Sequence, residues 1–500
     1  MAQDRSRRAL ALALMFGSGA AGLALQIVWT QQNALWLGHE AAAVLAVIAA
    51  LFGGLAAGAF GLGPRIERSA RPARWYAACE LVIAAWTLAL VFAMPGVAAA
   101  LSRAIGMDAP APAQWLAGFA GTFVLLLPAT AAMGATLPAM ERALRPLRAT
   151  GGSLPALYAA NTLGAVFGVL ACAWWLVPAF GLRATAMICA AIDVACALAA
   201  LAVFHPVAPA HPVHRSVPRS ALWALAVTGF LGIGYEVLVV RVIAQVAEDT
   251  VYTYAMLLAV YLAASALGAA LYQRRLVRHP DPAALEAWLL AGLAGACLAG
   301  STTLWGAEAL RDMLLAALGR SMGAALIVEL VLAMAAFALP AMFMGLVFSH
   351  LMLRAHAQGV SLGRALGANT LGAALAPLVF GVLALPAWGA KVSLMIVCGG
   401  YLALSGARAW RKPLVWGPAA GALVVVSALS LLAPPLAFIA VPEGGHVVSY
   451  EEGALASVSV VEDAGGVAVL RIDNRQQEGS SATGRVDGRQ ALLPVLLHPA

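Results

Sequence analysis

The sequence predicts an all-α polytopic membrane protein made of two parallel six-helix repeats, a thirteenth transmembrane helix and a short β-hairpin tail. Three observations carry this prediction. Hydrophobic residues make up 62% of the 500-residue chain and charged residues only 11%, whereas soluble domains are nearer half apolar and a quarter charged. Apolar stretches of about 20 residues, long enough to span hydrocarbon, recur along most of the chain. The chain also repeats itself at an offset of about 210 residues. Such a composition excludes an intrinsically disordered chain, a disulfide scaffold and a nucleic-acid binder.

In order, the spans fall near 9–29, 43–63, 75–95, 115–138, 157–180 and 183–203, then 221–240, 252–272, 284–304, 324–348, 365–386 and 389–405. A thirteenth apolar run covers about 414–440. Arg5, Arg7 and Arg8 precede the first span, which is long and lacks a small-residue cleavage site, so a retained helix is expected rather than a signal peptide. With the N-terminus inside, the inner segments carry twenty Arg and Lys residues and the outer loops six. The positive-inside rule therefore places the N-terminus in the cytoplasm. The formal charge of +7 orients the chain and marks no ligand site. Pro434 and Pro435 cannot continue a regular helix. Even so, enough residues precede them for one crossing, which leaves the tail outside; a re-entrant hairpin is the alternative.

The repeat is explicit in words of sequence. Ala160-Asn161-Thr162-Leu163-Gly164-Ala165 recurs as Ala368-Asn369-Thr370-Leu371-Gly372-Ala373, and Leu127-Pro128-Ala129 recurs as Leu339-Pro340-Ala341. Gly22 to Gln26 aligns with Gly232 to Glu236, and Gly58 with Gly268. Six spans per copy keep both copies in one orientation. The expected units are 1–203 and 221–405 for the two membrane repeats, 204–220 for a cytoplasmic linker, 406–441 for the thirteenth segment and 442–500 for the tail. In the Pro-rich linker, His205, His211 and His214 lack acidic or Cys companions and read as a solvated loop. The six cysteines all lie in apolar stretches without ligand spacing and read as small hydrophobes. No metal or cofactor is implied. Gly54, Gly58, Gly164 and Gly168 stand at spacings that let helix backbones approach in lipid.

Ionisable groups inside spans are costly and default to a functional hypothesis. Asp193 lies near the middle of its span and Glu236 in the outer half of its own; both are candidates for a substrate or proton role. Glu80 and His350 lie near inner helix ends and are expected to reach the interface; Glu329 is a further intramembrane acid. Asn161 and Asn369, related by the repeat, form either a symmetric interhelical hydrogen bond or part of a substrate site. Gln26 and Glu236 would face each other across the pseudo-twofold axis, where a Glu suits a cationic ligand.

From about Pro442 the pattern changes to period-2 alternation. Residues 456–462 and 467–472 flank Asp463-Ala464-Gly465-Gly466, a hairpin signature. A helix-like run covers Arg489 to His498. Two or three strands cannot bury an independent core.

Ser18 to Leu23, Ile27-Val28-Trp29-Thr30, Met133 to Pro138, Leu157 to Ala165, and Tyr450 to Ala456 leading to Asp463 together carry a resemblance. The chain resembles the bacterial family in which a major-facilitator-like membrane region is fused to a spermidine synthase (polyamine aminopropyltransferase) domain. The resemblance implies a bacterial inner-membrane location and a lipid-embedded anchor that binds or moves polyamine or a related cation; the thirteenth crossing, by contrast, would put the tail in the periplasm. It also implies a substrate-contacting Gln in the tail hairpin, Gln476 or Gln477. Two departures stand out: Gln26 replaces the family's usual Glu, and no strand followed by GxGxxG and a helix is present. This chain is therefore expected not to catalyse aminopropyl transfer. The alternative reading is a stand-alone transporter of a small cationic or amphipathic solute with a vestigial tail.

Overall fold

The computed structural model describes all of the chain except residues 1, 38–39, 106–109, 146–153, 209–218, 248–249, 410–412, 455, 475, 485–487, 490–491, 494–495 and 497–500. His211 and His214 of the linker, and most of the Arg489–His498 run, lie outside the described residues.

The first half comprises α1 (Ala2–Leu37), α2 (Glu40–Gly61), the short α3 (Gly63–Arg68), α4 (Pro72–Ile105), α5 (Ala111–Leu144), α6 (Leu154–Ala171) and α7 (Val177–Val203). The second comprises α8 (Arg219–Ala244), α9 (Val251–Leu271), α10 (Pro282–Leu304), α11 (Ala307–Leu318), α12 (Met322–Ala357), α13 (Leu362–Ala376) and α14 (Leu385–Ala409). Ten helical segments among the described residues are long and apolar enough to cross a membrane. Two of them, Leu154–Val203 and Leu362–Ser405, hold two passes each. Their helical course breaks at Gly181 (φ 74°) and Gly389 (φ 72°), in the left-handed region that glycine enters without a Cβ penalty. Beyond each glycine the chain runs back antiparallel. The shorter amphipathic α11 joins α10 to α12.

Packing repeats as the sequence does. α1 packs on α6 as α8 packs on α13, and α2 on α5 as α9 on α12. The halves meet through α2–α13 and α6–α9. Small residues set these contacts. A Cβ at Gly164 would overlap the Phe16 carbonyl, and one at Gly372 the equivalent Ala226 carbonyl. The pair Gly58–Ala131 is matched by Gly268–Met342 in the same way. Without hydrophobic drive between helices in lipid, such backbone approach supplies dispersion contact. π-helical stretches at Cys172–Leu176 and Pro377–Ala384 also fall at corresponding places in the two halves.

The starts of α1 and α8 lie at one end of the bundle, here the linker end. α15 (Pro413–Leu432) packs on α10 and α14; the described part of it from Ala420 to Leu432 is shorter than a spanning helix, and the helix ends before Pro434, as proline requires. An extended strap then crosses the opposite end, here the tail end. Lys391 Nζ donates to the Ala433 carbonyl at 2.8 Å and Trp305 Nε1 to that of Pro434 at 3.0 Å. Phe438 N donates to Gln245 Oε1 at 3.1 Å.

The tail is larger than a hairpin. β1 (His446–Glu452), β2 (Ser457–Glu462), β3 (Ala468–Ile472) and β4 (Gln476–Ser480) form one antiparallel sheet in sequential order. The Asp463 turn forms as its sequence demands, with Asp463 Oδ1 accepting from Gly465 N at 2.8 Å and Val467 N at 3.0 Å. β1 is exposed over most of its length and β4 is Gln- and Gly-rich, so neither carries the clean alternation that marks β2 and β3 in the sequence.

Candidate functional site

Between the halves lies a cavity of about 280 Å³. α1, α2, α5 and α6 line it from one side and α8, α9, α12 and α13 from the other, with Tyr401 of α14. Its polar wall is largely symmetric: Ser18 stands opposite Thr228, Asn161 opposite Asn369, and Thr162 opposite Thr370. Inter-half contacts bound it at both ends. At the linker end Gly63 lies against Gly363, whose N–H donates to Glu67 Oε1 at 3.3 Å. At the tail end the rings of Trp174 and Tyr252 stand 5.4 Å apart.

Four of the six residues singled out from sequence meet here: Gln26, Asn161, Glu236 and Asn369. Gln26 and Glu236 are each 7% exposed, and that exposure is to the cavity. Among the described residues, neither side chain makes a hydrogen bond or ion pair. Asn369 differs: its Nδ2 donates to the Leu225 carbonyl at 3.0 Å, an interhelical bond that ties α13 to α8. Asn161 and Asn369 also sit where Gly19 and Gly229 press against their carbonyls.

The structure leaves the other two elsewhere. Asp193 lies outside the cavity wall, between α1, α4 and α7, with Glu80 beside it. Ser18 and Tyr76 are the other polar groups around Glu80. Glu80 and His350 were expected at the interface, yet they are 0% and 3% exposed, because neighbouring helices enclose their helix ends. His350 Nδ1 lies 3.1 Å from the Tyr272 hydroxyl and its Nε2 3.8 Å from Glu286, which also pairs with Arg354. Glu329 accepts from Thr253 Oγ1 at 2.6 Å. Gln477 is exposed on β4, paired with Arg471 and away from the cavity. Among the described residues no three His, Cys, Asp or Glu side chains converge as metal ligands.

Sequence reasoning missed the tyrosines. Tyr158, Tyr261 and Tyr401 line the cavity, and the Tyr158 ring stacks 4.9 Å from Phe348. Tyr401 donates to the Thr228 carbonyl at 3.3 Å. One signal was available: Tyr261 and Tyr401 align across the repeat with Leu51 and Asp193, so they break the symmetry.

A smaller antechamber of about 90 Å³ continues from Gln26 and Glu236 toward the tail end. Thr30, Tyr254, Arg241 and, from the tail, Ala454 complete it. Arg241 is 8% exposed. Its guanidinium lies 3.3 Å from Glu452 Oε1 and 3.1 Å from Asp473 Oδ2. Burial lifts the Glu452 carboxyl above the ordinary carboxylate range, with Arg241 partly opposing the shift. The Tyr450 hydroxyl, hydrogen-bonded to Glu452, is likewise pushed up by burial and by that carboxylate.

No protein-family model and no curated protein matches this chain. Among solved structures it is similar to the human organic anion transporter MFSD10 (TETRAN), at 14% identity and a TM-score of 0.48 over 80% of this chain and 98% of that one. It is also similar to XylE, a major facilitator superfamily proton:xylose symporter, at 12% identity and a TM-score of 0.43 over 86% of this chain and 97% of that one. The twofold-repeated bundle itself is established by this chain's own internal symmetry.

Proposed function

We propose that the chain is a transporter-like membrane protein that takes a small solute bearing a cationic group into the cavity between its halves. One observation carries this reading: Glu236 faces the cavity from within a spanning helix, and among the described residues it has neither hydrogen bond nor ion pair. An isolated carboxylate at that depth costs several kcal/mol, and a bound cation offsets the cost. Tyr158, Tyr261 and Tyr401 add ring faces that attract cations, while Gln26 supplies a neutral hydrogen-bonding partner opposite. The similar structures are named for an organic anion and for xylose; an unpaired acid in the wall favours the opposite charge here. Polyamines fall within the class this site suits, as do monoamines and quaternary amines.

Binding to the purified chain in lipid nanodiscs tests the reading. Putrescine, spermidine or choline should raise its thermal midpoint, and Glu236→Gln should remove the rise while leaving the unliganded midpoint in place. Equal response to a neutral sugar, or an undiminished response in Glu236→Gln, would overturn it.

A second reading draws on the tail. The sheet β1–β4 begins where the resemblance to the synthase fusions places its first strands, and the membrane region would then anchor an aminopropyltransferase-like domain. Sequencing the gene past codon 500 tests it. A continuing frame that encodes a Gly-rich strand–turn–helix supports the fusion, and an immediate stop removes it.

A further inference from the structure

The tail does not hang free of the bundle. Besides the strap contacts of Ala433, Pro434 and Phe438, Ala440 N donates to Asn474 Oδ1 at 2.6 Å, which closes the strap onto the β3–β4 turn. In that turn Asp473 and Asn474 adopt positive φ values of 47° and 60°. Asp473 is held in place by Ser457, whose N–H and Oγ donate to Oδ1 at 2.8 and 3.0 Å. The sheet therefore presents Glu452 and Asp473 in fixed positions, and both converge on one cation, Arg241 of the membrane helix. Arg241 Nη2 also approaches the Gly453 carbonyl at 3.5 Å, one residue before Ala454 in the antechamber wall. Arg241 stands five residues after Glu236 on α8, a rise of about 7.5 Å. The latch and the cavity carboxylate thus share one helix.

We propose that the tail sheet is a lid on the tail end of the solute cavity, latched by Arg241 between Glu452 and Asp473, and that releasing this latch opens the antechamber to water. The lid rests on the proposed function only in taking the cavity as the solute site; the geometry of closure is independent of any solute. Two buried acids on one buried guanidinium form a charge-assisted contact. Removing the cation leaves both acids buried without a counter-charge, so the docked state loses more than the pair's own attraction. The latch is therefore the place where a single substitution shifts the lid from docked to undocked.

Cysteine accessibility in the full-length chain in nanodiscs tests this. All six native cysteines are buried, so the background is low. Thr30→Cys in the antechamber is the reporter, and a charged maleimide is the probe. Labelling should be slow with the latch intact and faster by roughly tenfold, the factor corresponding to one decade in the opening equilibrium, in Arg241→Gln. The exchanged pair Arg241→Glu with Glu452→Arg should slow it again. Should Arg241→Gln fail to fold, Asp473→Asn, which lies outside the spanning helices, must accelerate labelling instead. Rapid labelling with the latch intact, or equal rates across all latch variants, would overturn the lid. Accelerated labelling together with no cation binding to the intact chain would keep the lid and remove the cation reading.

Discussion

The two membrane halves share a frame and differ in what they put into it. In both, glycines bring the first helix against the fifth and the second against the fourth, at positions that match across the repeat. The polar groups have diverged. The second half gives the cavity Glu236, Tyr261 and Tyr401, where the first gives Gln26 and Leu51 and turns Asp193 away toward Glu80. A backbone-to-backbone crossing tolerates almost no change, because any Cβ must displace a carbonyl. A cavity wall faces open space and can diverge residue by residue. The frame therefore records the duplication, and the wall records the function.

Breaking the frame should have the largest effect, and an equal one in each half. Gly164→Ala and Gly372→Ala each force a side chain onto a neighbouring carbonyl and should cost ~1–3 kcal/mol, read as a fall in thermal midpoint in detergent. Gly96→Ala, where a Cβ would meet nothing within 4 Å, should leave the midpoint in place. A large effect in one half alone would show that the symmetric packing is not shared stability.

Exchanging the wall residues should separate the halves. Glu236→Gln should weaken cation binding by at least roughly tenfold, or ~1.4 kcal/mol, and Gln26→Glu on that background should restore part of it. Isothermal titration with putrescine measures both. If the double variant binds no better than the single one, the site is set by the second half alone.

The lid should respond to pH by a few-fold. Burial raises the Glu452 carboxyl in the docked tail, so the docked state prefers the protonated form. Docking is then strongest below the ordinary carboxylate value and weakens as pH rises through the raised one. The groups facing it are Arg241, Asp473 and Tyr450. Labelling at Thr30→Cys, taken relative to a free model thiol at each pH because the thiolate is the reacting form, should therefore quicken as pH rises over that window, and Glu452→Gln should flatten this relative profile. An opposite slope would assign the control to another group.

The smallest difference should come from the paired asparagines. Asn369→Ala loses the bond to the Leu225 carbonyl and should cost ~0.6 kcal/mol, the average for such bonds in membranes. Asn161→Ala should change thermal stability less. Equal losses would show that both asparagines serve as interhelical ties.

Composition, hydropathy and internal repetition were enough to give the solvent, the apolar spans of the two repeats and the duplication; the thirteenth span they also suggested is not one of the segments long enough to cross among the described residues. Twenty-residue apolar runs have one stable environment, and the repeated Asn-Thr-Leu-Gly-Ala word marks equivalent packing surfaces. That Gln26 and Glu236 would line one cavity was legible for the same reason, since repeat alignment converts one residue's place into its partner's. Helix packing alone puts Asp193 outside the cavity, encloses Glu80 and His350, and brings Arg241 to Glu452 and Asp473 across more than 200 positions of chain. Hydropathy and spacing fix how deep a residue lies along a helix, whereas which neighbour it faces depends on helix rotation and crossing. Those are set by the close approach of backbones at Gly19, Gly164 and their counterparts, and by a strap that brings the tail back over the bundle.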